Sequence, residues 1–453
     1  MTAPSDDRAA ASATADVDVV VVGGGVAGLA AAVALHDAGL DVLVVEARSR
    51  LGGRVYTRRL PGVALPIELG AEFVHGRVPE TLQVADHAGI LLCAMSGDWW
   101  HLNNGLLARP SDAGGPFGLV MRRLDPDRTP DRSFTEFLDT VRSDPAIAAA
   151  IPNALRYVQG FDAADPERVS ERWLALCEAT AHADDLEHQY RLPGGYDQVP
   201  AALAVRLPAA AVRLSAVVRD VAWERGRVVV EADTITASAR ATIVTVPLGV
   251  LTARPEGTPG PIVFHPDLGI PVREAFAGLA MGSALRIVLE FQRPFWEELV
   301  VAGGDAHPDS VGFLSIDDDE FGVWWTPYPL RANILVAWVG GPRAGALARY
   351  TSDELADRAI AAMARAAGIS RSRLGALLTN VWYHDWHNDP FSRGAYSYGV
   401  VGGIDAPRAL ERPLANALFF AGEATDPDGR SGTVHAAIAS GRRAATAVIA
   451  ALA

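Results

Sequence analysis

The pattern of apolar and polar positions is most informative near the start of the chain. Residues 16–22 are an almost unbroken apolar, β-branched run, which predicts a buried strand. Residues 26–38 are rich in alanine and leucine, which favours a helix, and Gly39 follows where such a helix would end. Residues 41–46 form a second apolar run of strand length. The pattern therefore predicts a strand–helix–strand unit.

Three glycines stand in the turn between the first strand and the helix, in the order G-x-G-x-x-G. They are Gly23, Gly25 and Gly28, and Val26 and Ala27 open the helix between the last two. In such a turn one glycine permits the tight bend, the next lets the backbone approach a phosphate, and the third lets helix and strand pack closely. The helix N-terminus offers unpaired N–H groups to a pyrophosphate. The turn therefore predicts a site for a dinucleotide.

An acidic residue follows at the end of the second strand. Glu46 stands near the spacing of about 20 residues at which a carboxylate accepts the ribose hydroxyls of a dinucleotide. A glycine-rich turn alone is weak evidence, because such turns are common. The combination of strand, glycines, helix, strand and acid is specific, and it predicts an α/β unit of the doubly wound kind.

Later segments predict a second domain of mixed structure. Residues 134–181 and Ser352–Ala367 have helical patterns, and Ser352 is the expected N-cap of the latter helix. Residues 277–295 and 323–339 have strand patterns. We therefore expect an α+β domain that is interleaved with the nucleotide-binding domain.

Composition excludes several classes of function. The chain has 453 residues, enough for two domains, and no run of about 18 apolar residues that would predict a membrane span. Its net charge of −14 argues against a nucleic-acid partner, because phosphates need a basic surface. Two cysteines are too few for a disulfide framework and favour a reducing cytoplasm. Residues 1–15 predict a disordered tail, and no metal-ligand cluster is apparent.

Four further motifs resemble one family. Residues 48–57 read RSRLGGRVYT, and residues 68–76 read ELGAEFVHG. Residues 382–400 read WYHDWHNDPFSRGAYSYGV, and residues 419–445 contain FAGE followed by GTVH and SG. In this order the motifs resemble the flavin amine oxidase superfamily, which includes monoamine oxidases, polyamine oxidases, L-amino-acid oxidases and flavin histone demethylases. The resemblance covers almost the whole chain.

This resemblance implies an α/β fold with a doubly wound, Rossmann-type FAD-binding domain and an interleaved α+β substrate-binding domain. The FAD-binding domain would comprise residues 16–76, 205–285 and 375–453. The substrate-binding domain would comprise residues 77–204 and 286–374.

The same resemblance implies which residues line the cofactor. Arg54 would contact the pyrophosphate or the ribityl chain, and Gly70 and Ala71 would run along the isoalloxazine ring. Glu423 would bind the ribityl hydroxyls, and the N–H of Val434 would face flavin O2, where a helix N-terminus stabilises negative charge. The other residues implied to line FAD are Ala47, Arg48, Gly53, Glu72, Val218, Trp386, Gly422 and Thr433, besides Gly23, Gly25, Val26, Ala27, Gly28 and Glu46.

The family transfers a hydride from the carbon beside an amine to flavin N5; the imine is hydrolysed, and O2 reoxidises the flavin to give H2O2. We therefore expect a primary or secondary amine or a polyamine as substrate and O2 as acceptor. Ala395 stands where monoamine oxidases have the cysteine that bonds to the ring, so FAD should be non-covalent. Tyr396 matches one wall of the family's aromatic cage, and Thr433 matches the other wall, which is not aromatic here.

Arg286 departs from the family pattern. Residues 282–291 read GSALRIVLEF, where most relatives carry a lysine that holds a water against flavin N5. The chain contains no lysine at all, and its Ala, Gly and Arg usage suits a GC-rich bacterial genome, so general replacement of lysine by arginine is one explanation. The other is that Arg286 alters reoxidation or holds an anionic substrate group. As a guanidinium it cannot serve as a base.

Other roles and functions stay open. His75 is a candidate acceptor of an amine proton near pH 7, and Glu72 is a candidate partner for a cation. An L-amino-acid oxidase with Arg286 as a carboxylate clamp and a carotenoid- or porphyrinogen-type desaturase are alternatives within the fold. A flavin-binding protein without oxidase turnover is the alternative of a different class. The expected partners are a small amine, O2 and a second copy of the chain, without nucleic acid or membrane.

Overall fold

The fold is that of a computed structural model, which describes residues 13–109, 117–185, 188–253, 261–303, 308 and 310–453. Residues 1–12, most of the predicted tail, lie outside the described residues. Ala13–Asp16 forms a strand that pairs in parallel with Ile235–Ala239. The prediction of a disordered tail is therefore wrong for residues 13–15, because their backbone groups complete the edge of a sheet.

The described residues form the following elements, numbered in chain order. The α-helices are α1 (Val26–Asp37), α2 (Pro79–His87), α3 (Phe117–Met121), α4 (Phe134–Val141), α5 (Pro145–Gly160), α6 (Glu171–Ala183), α7 (Gln198–Ala204), α8 (Leu248–Leu251), α9 (Ile270–Ala277), α10 (Pro342–Leu347), α11 (Ser352–Ala367), α12 (Arg371–Leu377), α13 (Ala406–Leu410) and α14 (Val434–Leu452). The strands are β1 (Ala13–Asp16), β2 (Val19–Val22), β3 (Val42–Val45), β4 (Thr57–Arg58), β5 (Ile67–Glu68), β6 (Val74–His75), β7 (Cys93–Ala94), β8 (Trp99–Asn103), β9 (Leu106–Ala108), β10 (Gln189–Arg191), β11 (Val212–Arg213), β12 (Val218–Glu224), β13 (Arg227–Ala232), β14 (Ile235–Ala239), β15 (Ala241–Val244), β16 (Val263–His265), β17 (Leu279–Met281), β18 (Ala284–Phe291), β19 (Val300–Val301), β20 (Phe313–Ile316), β21 (Val323–Trp325), β22 (Ile334–Gly340), β23 (Leu378–Tyr383), β24 (Ser397–Gly399) and β25 (Leu418–Phe420).

A parallel sheet in the order β11-β3-β2-β15-β25 forms the core of the first domain. Every residue of β2 and β3 is buried, and a strand that is covered on both faces needs apolar side chains at each position. Helices α1 and α14 cover one face. The sheet β1-β14-β13-β12-β16 packs against the other face. The predicted α/β class and the strand–helix–strand unit are confirmed, although the first predicted strand divides into β1 and β2.

A second sheet, in the order β19-β9-β8-β20-β21-β22-β18-β23, forms most of the other domain. In β18, Leu285, Ile287 and Leu289 point into a core that includes α11, whereas Arg286 and Val288 lie on the opposite face. β18 crosses the predicted domain boundary at residues 285 and 286, and β23 joins this sheet although it was assigned to the FAD-binding domain. The domain division stays a proposal, with these two strands in the substrate-binding domain.

The bounds of α11 agree with the sequence, but its N-cap is Thr351, not the predicted Ser352. The Thr351 hydroxyl accepts the N–H of Glu354, whose carboxylate accepts the N–H of Thr351 in return. Ser352 lies one residue inside the helix. In the part of the chain that the structure describes, none of the helices is long and apolar enough to cross a membrane.

Thr351→Ala is expected to lower the free energy of unfolding by about 1 kcal/mol, because it removes the hydroxyl that accepts the N–H of Glu354. Ser352→Ala, the neighbouring control, should change it by less than about 0.5 kcal/mol. Urea unfolding of both variants measures the difference. Equal losses would show that the cap is not at Thr351.

Candidate flavin and substrate site

Two glycine turns face each other at the start of α1. Gly25 precedes the helix and forms a parallel bridge with Gly52. A Cβ on Gly25 would meet no heavy atom of the described residues nearer than the Cα of Gly53, at 4.0 Å. No described side chain caps α1. A groove without side chains, bordered by uncapped N–H groups, fits a pyrophosphate.

The other glycines of the motif are required by close backbone contacts. Gly23 has a φ of +109°, and a Cβ there would lie 2.6 Å from the Thr245 hydroxyl. A Cβ on Gly28 would overlap the carbonyl oxygen of Gly23. Val26 and Ala27 are buried and join the core beneath the helix. The glycines of the motif therefore allow strand, turn and helix to pack closely, as expected from the sequence.

Glu46 supports the glycine turn directly. One carboxylate oxygen accepts the N–H of Gly24 at 2.6 Å, and the other accepts the N–H of Arg48 at 2.8 Å. Burial raises the pKa of Glu46, and these two backbone bonds oppose that rise. Each oxygen retains a second lone pair that a ribose hydroxyl can use. Val218, the residue expected beside the adenine, opens β12 and is buried there opposite Ala232.

The guanidinium of Arg48 pairs with a carboxylate of the protein. Its guanidinium forms a bidentate pair with Asp389, with both N···O distances at 2.8 Å. The ring of His384 lies 2.7 Å from the same carboxylate. Although burial opposes it, His384 and Arg48 hold the pKa of Asp389 well below its usual range. Arg48 and the adjacent, half-buried Ala47 therefore lie where the start of the RSRLGGRVYT motif contacts the WHNDP segment at residues 386–390.

A single buried carboxylate joins three remote segments. Glu423, 4% exposed, lies 2.8 Å from the guanidinium of Arg54. Its other oxygen accepts the Ser397 hydroxyl at 2.7 Å and the N–H of Gly432 at 2.8 Å. Arg54 also donates to the carbonyl of Ala395 at 2.8 Å. The two residues predicted to contact the ribityl region thus form one ion pair.

The predicted ring-lining loop is packed tightly against this pair. A Cβ on Gly70 would overlap the carbonyl oxygen of Arg54, to which the N–H of Ala71 donates at 3.2 Å. The indole N–H of Trp386 donates to the carbonyl of Leu69 at 2.6 Å. The loop at residues 69–71 is therefore fixed by the Gly-Gly-Arg turn on one side and by Trp386 on the other.

Thr433 is the N-cap of α14, a role that the sequence analysis missed. Its hydroxyl accepts the N–H of Ala436 at 3.2 Å and donates to a carbonyl of the preceding loop at 2.7 Å. Val434 is the first residue of the helix, as the resemblance requires. Gly422 donates its N–H to the Ser440 hydroxyl at 2.9 Å, which fixes the FAGE turn against the same helix.

Tyr396 lies beside the start of that helix. A Cβ on Gly432 would lie 2.9 Å from the Tyr396 ring, so Thr433, the next residue, is in the same neighbourhood. The Tyr396 hydroxyl donates to the carbonyl of Phe161 at 2.7 Å. The ring of His75 meets the Phe161 ring edge-on, with centroids 5.8 Å apart. The structure thus brings Tyr396, Thr433 and His75 together around the Phe161 segment.

Glu72 is held between two arginines, both of which are 6% exposed. Arg286 pairs with one carboxylate oxygen at 2.5 Å, and Arg191 pairs with the other. The indole N–H of Trp325 donates to Glu72 at 3.0 Å. The expectation that Glu72 receives a substrate cation is wrong, because its oxygens already bind two guanidinium groups and an indole. The second terminal nitrogen of Arg286 donates to the carbonyl of Gly70 at 3.4 Å.

Two buried histidines, His75 and His435, have pKa values below the ordinary value of the side chain. Burial lowers the pKa of His75 to about 4, and its Nδ1 has no hydrogen-bond partner among the described residues. Burial, with a smaller effect of His75, lowers the pKa of His435 to about 3. The expectation that His75 takes up a proton near pH 7 is therefore wrong, although its neutral ring can still accept a hydrogen bond.

These two histidines should make stability depend on pH. Their folded pKa values lie below the ordinary value, so the unfolded chain binds more protons between about pH 6.5 and pH 4, and stability falls as the pH is lowered through that range. His435→Gln should reduce the slope by up to about 1.4 kcal/mol per pH unit, as measured by urea unfolding at pH 7, 6 and 5. Exposed His36→Gln is the control; an unchanged slope in His435→Gln would contradict the prediction.

A further acidic residue, Asp162, which the sequence analysis did not single out, lies near Tyr396. Asp162 follows Phe161 directly, and its Oδ2 is buried with no hydrogen-bond partner among the described residues. Burial and the nearby charge of Glu178 raise the pKa of Asp162 well above its usual value. Burial, followed by the charge of Asp162, raises the pKa of Tyr396. Nothing in the sequence separates Asp162 from an ordinary turn residue, because its burial depends on α5 and α6 packing around it.

The residues present fit a flavin dinucleotide. The open glycine groove suits the pyrophosphate, Glu46 suits a ribose, and the Arg54–Glu423 pair lies between that groove and Tyr396 in the chain of contacts described above. Across the described residues, no group of three or more side chains could hold a metal ion.

Comparison with known proteins agrees with this geometry. The family model described as flavin containing amine oxidoreductase matches residues 26–99 and 101–449. Polyamine oxidase 4 of Oryza sativa subsp. japonica is 29% identical over 94% of this chain and 87% of its own length. Lysine-specific histone demethylase 1 homolog 1 of the same plant is 28% identical over 95% of the chain, which spans only 52% of that protein.

Among solved structures, a putrescine oxidase bound to putrescine has the same fold. The TM-score is 0.80 at 23% identity, and the match covers 96% of this chain and 100% of the other. Because the family model matches nearly the whole chain, the protein belongs to the flavin-containing amine oxidoreductases and is a flavin-dependent oxidoreductase.

Proposed function

We propose that the protein is an amine oxidase that binds FAD non-covalently and oxidises a diamine or polyamine with O2 as the acceptor. FAD held by the glycine groove, Glu46 and the Arg54–Glu423 pair would supply a hydride acceptor for the carbon beside the amine and an electron donor for O2, with H2O2 and the hydrolysed imine as products. Ala395 offers no nucleophile for a bond to the ring. The two named oxidases among the relatives support this substrate class.

The chain's own residues would bind and orient the amine. Tyr396, held by its hydrogen bond to the Phe161 carbonyl, presents a fixed ring, and Thr433 opposite leaves more room than a second aromatic would. The neutral ring of His75 can accept a hydrogen bond from the amine. Orienting the C–H bond toward the acceptor is the protein's main contribution to such a reaction.

The observation that carries the substrate class is the buried carboxyl group of Asp162. Its Oδ2 has no hydrogen-bond partner among the described residues, and burial and the charge of Glu178 raise its pKa. Cations favour the ionised form of such a group and would lower its pKa again. A substrate with a second ammonium group satisfies Asp162 while its reacting amine lies near Tyr396.

Asp162→Asn should therefore raise the KM for diamines at least about tenfold, the loss expected of one hydrogen bond between charged groups, and leave the KM for monoamines unchanged. Anaerobic bleaching of the flavin band by putrescine, spermidine, benzylamine and L-amino acids measures the reductive half-reaction, and readmitted air tests O2. Asp139→Asn, exposed on α4, is the control. An equal loss for monoamines and diamines would contradict the role of Asp162.

Bleaching by L-amino acids alone would instead favour the L-amino-acid oxidase. The structure argues against it, because one terminal nitrogen of Arg286 pairs with Glu72 and the other donates to the Gly70 carbonyl, so the two together cannot clamp a substrate carboxylate. A purified protein that contains flavin but whose flavin no amine reduces would favour a desaturase or a flavoprotein without oxidase turnover. A cytoplasmic location and a homodimer stay predictions from the sequence.

A further inference from the structure

A cavity lies beside Glu72 and its two arginine partners, on the face of β18 that carries Arg286 and Val288. Its volume is about 40 Å³, room for about three waters or one small anion. Four ionisable residues line it together with apolar side chains from the β5 segment, β18, β22 and the loop between β21 and β22. The lining residues used below are Glu68, Glu72, Arg191, Arg286, Val288 and Leu330.

Two buried donors at this cavity lack acceptors. The Nε atoms of Arg191 and Arg286 have no hydrogen-bond partner among the described residues. All four terminal nitrogens of the two guanidinium groups are engaged, by Glu72 and by the carbonyls of Gly70 and Thr326. A buried N–H without an acceptor is costly, by about 1–3 kcal/mol.

The neighbouring carboxylates cannot supply these acceptors. Glu72 already binds both arginines and Trp325. Glu68 accepts the Thr57 hydroxyl at 2.6 Å and the N–H of Tyr196 at 2.8 Å. A ligand that satisfies the two Nε–H groups must therefore come from outside the chain.

The geometry also limits how a ligand approaches. The Trp325 ring lies 5.5 Å from the Arg286 guanidinium, and the Phe73 ring lies 4.8 Å from that of Arg191. Each ring covers a guanidinium face, so the Nε edge is what remains for a ligand. A guanidinium that a ligand approaches along its edge is suited to planar oxyanions.

Charge favours an anion over water. Burial lowers the pKa of Arg191 to about 9 and of Arg286 to about 10, so both stay cationic at neutral pH. Burial raises the pKa of Glu68 to about 7, so this group is only partly ionised there. Two guanidinium cations thus lie beside Glu72, with which both pair, and beside the partly ionised Glu68.

We propose that this cavity binds one small, planar, monovalent oxyanion, of the size of acetate, nitrate or bicarbonate, through the Nε–H groups of Arg191 and Arg286. The proposal does not depend on which amine the protein oxidises.

Calorimetric titration and thermal unfolding of the flavin-loaded protein with acetate test the proposal. Acetamide is the neutral isostere, and sodium chloride is the matched salt. We expect one saturable acetate site and a saturable rise in Tm, with neither effect from acetamide. Nitrate and bicarbonate in place of acetate identify which oxyanion binds best. Equal binding of acetate and acetamide, or no saturable site, would overturn the proposal.

Two variants locate the site. Arg191→Lys keeps the charge but loses Nε, and it should weaken acetate binding about tenfold. Leu330→Trp fills the cavity while all four ionisable groups remain, and it should abolish binding. Arg371→Lys, in an exposed pair with Asp357, is the control and should bind as the wild type does. Wild-type acetate affinity in Leu330→Trp would show that acetate binds elsewhere.

Discussion

Glu423→Ala is expected to abolish stable flavin binding and to lower the free energy of unfolding by about 3–5 kcal/mol. The substitution leaves the Arg54 guanidinium without its carboxylate and removes the acceptor of Ser397 and Gly432. Since those groups belong to three segments that Glu423 joins, the loss affects the whole site. Flavin content after purification and urea unfolding measure the two effects.

The control for this variant is Glu320→Ala. Glu320 also pairs with an arginine, Arg358, but both side chains are more than one third exposed. Exposed ion pairs contribute about 0–1 kcal/mol, so this variant should retain flavin and nearly all its stability. If Glu423→Ala kept full flavin content, the Arg54–Glu423 pair would not be part of the cofactor site.

Gly28→Ala should also weaken flavin binding strongly, through a steric clash and not through the loss of an ion pair. The added methyl group would overlap the carbonyl oxygen of Gly23, a backbone atom that cannot move without moving β2 or α1. Overpacking of this kind costs about 1–3 kcal/mol or more, and any shift of α1 also moves the N–H groups that face the pyrophosphate. We expect a flavin affinity at least about a hundredfold weaker, measured by titrating FAD into the apoprotein.

Gly375→Ala is the matched control, because Gly375 is helical and a Cβ there would meet no described heavy atom within 4 Å. An alanine in a helix interior is favoured over glycine by about 0.5–1 kcal/mol. This variant should bind flavin normally and be slightly more stable. A Gly28→Ala protein with wild-type flavin affinity would show that the close approach is not required.

The sequence predicted what depends on local pattern. The runs around Gly23, Gly25 and Gly28 have a characteristic period and spacing, and the structure forms the expected unit there. The late FAGE motif was also placed correctly, since Glu423 and Val434 lie at the turn and helix start that the resemblance implies. Such features need only neighbours in sequence.

What the sequence did not predict depends on distant neighbours. Glu72 appeared as a free carboxylate because nothing near it in sequence indicates Arg191, more than a hundred residues later, as its partner. His75 was predicted to be a proton acceptor because nothing near it in sequence indicates that it is buried and that its ring meets Phe161. Thr351 was missed by one residue, since two adjacent hydroxyl residues are equally good caps until the backbone is known.

The packing of α14 on α1 has a consequence for biosynthesis. Gly441 approaches α1 so closely that a Cβ there would overlap the carbonyl of Ala27, and β25 pairs with β15 beside it. At about 5–20 residues per second, tens of seconds separate the translation of α1 from that of α14. Throughout that interval the part of α1 that packs on α14 lacks this partner, although β2, β3 and α7 have already been made. Because the predicted flavin site includes the start of α14, we expect cofactor loading to be a late step in maturation of the protein.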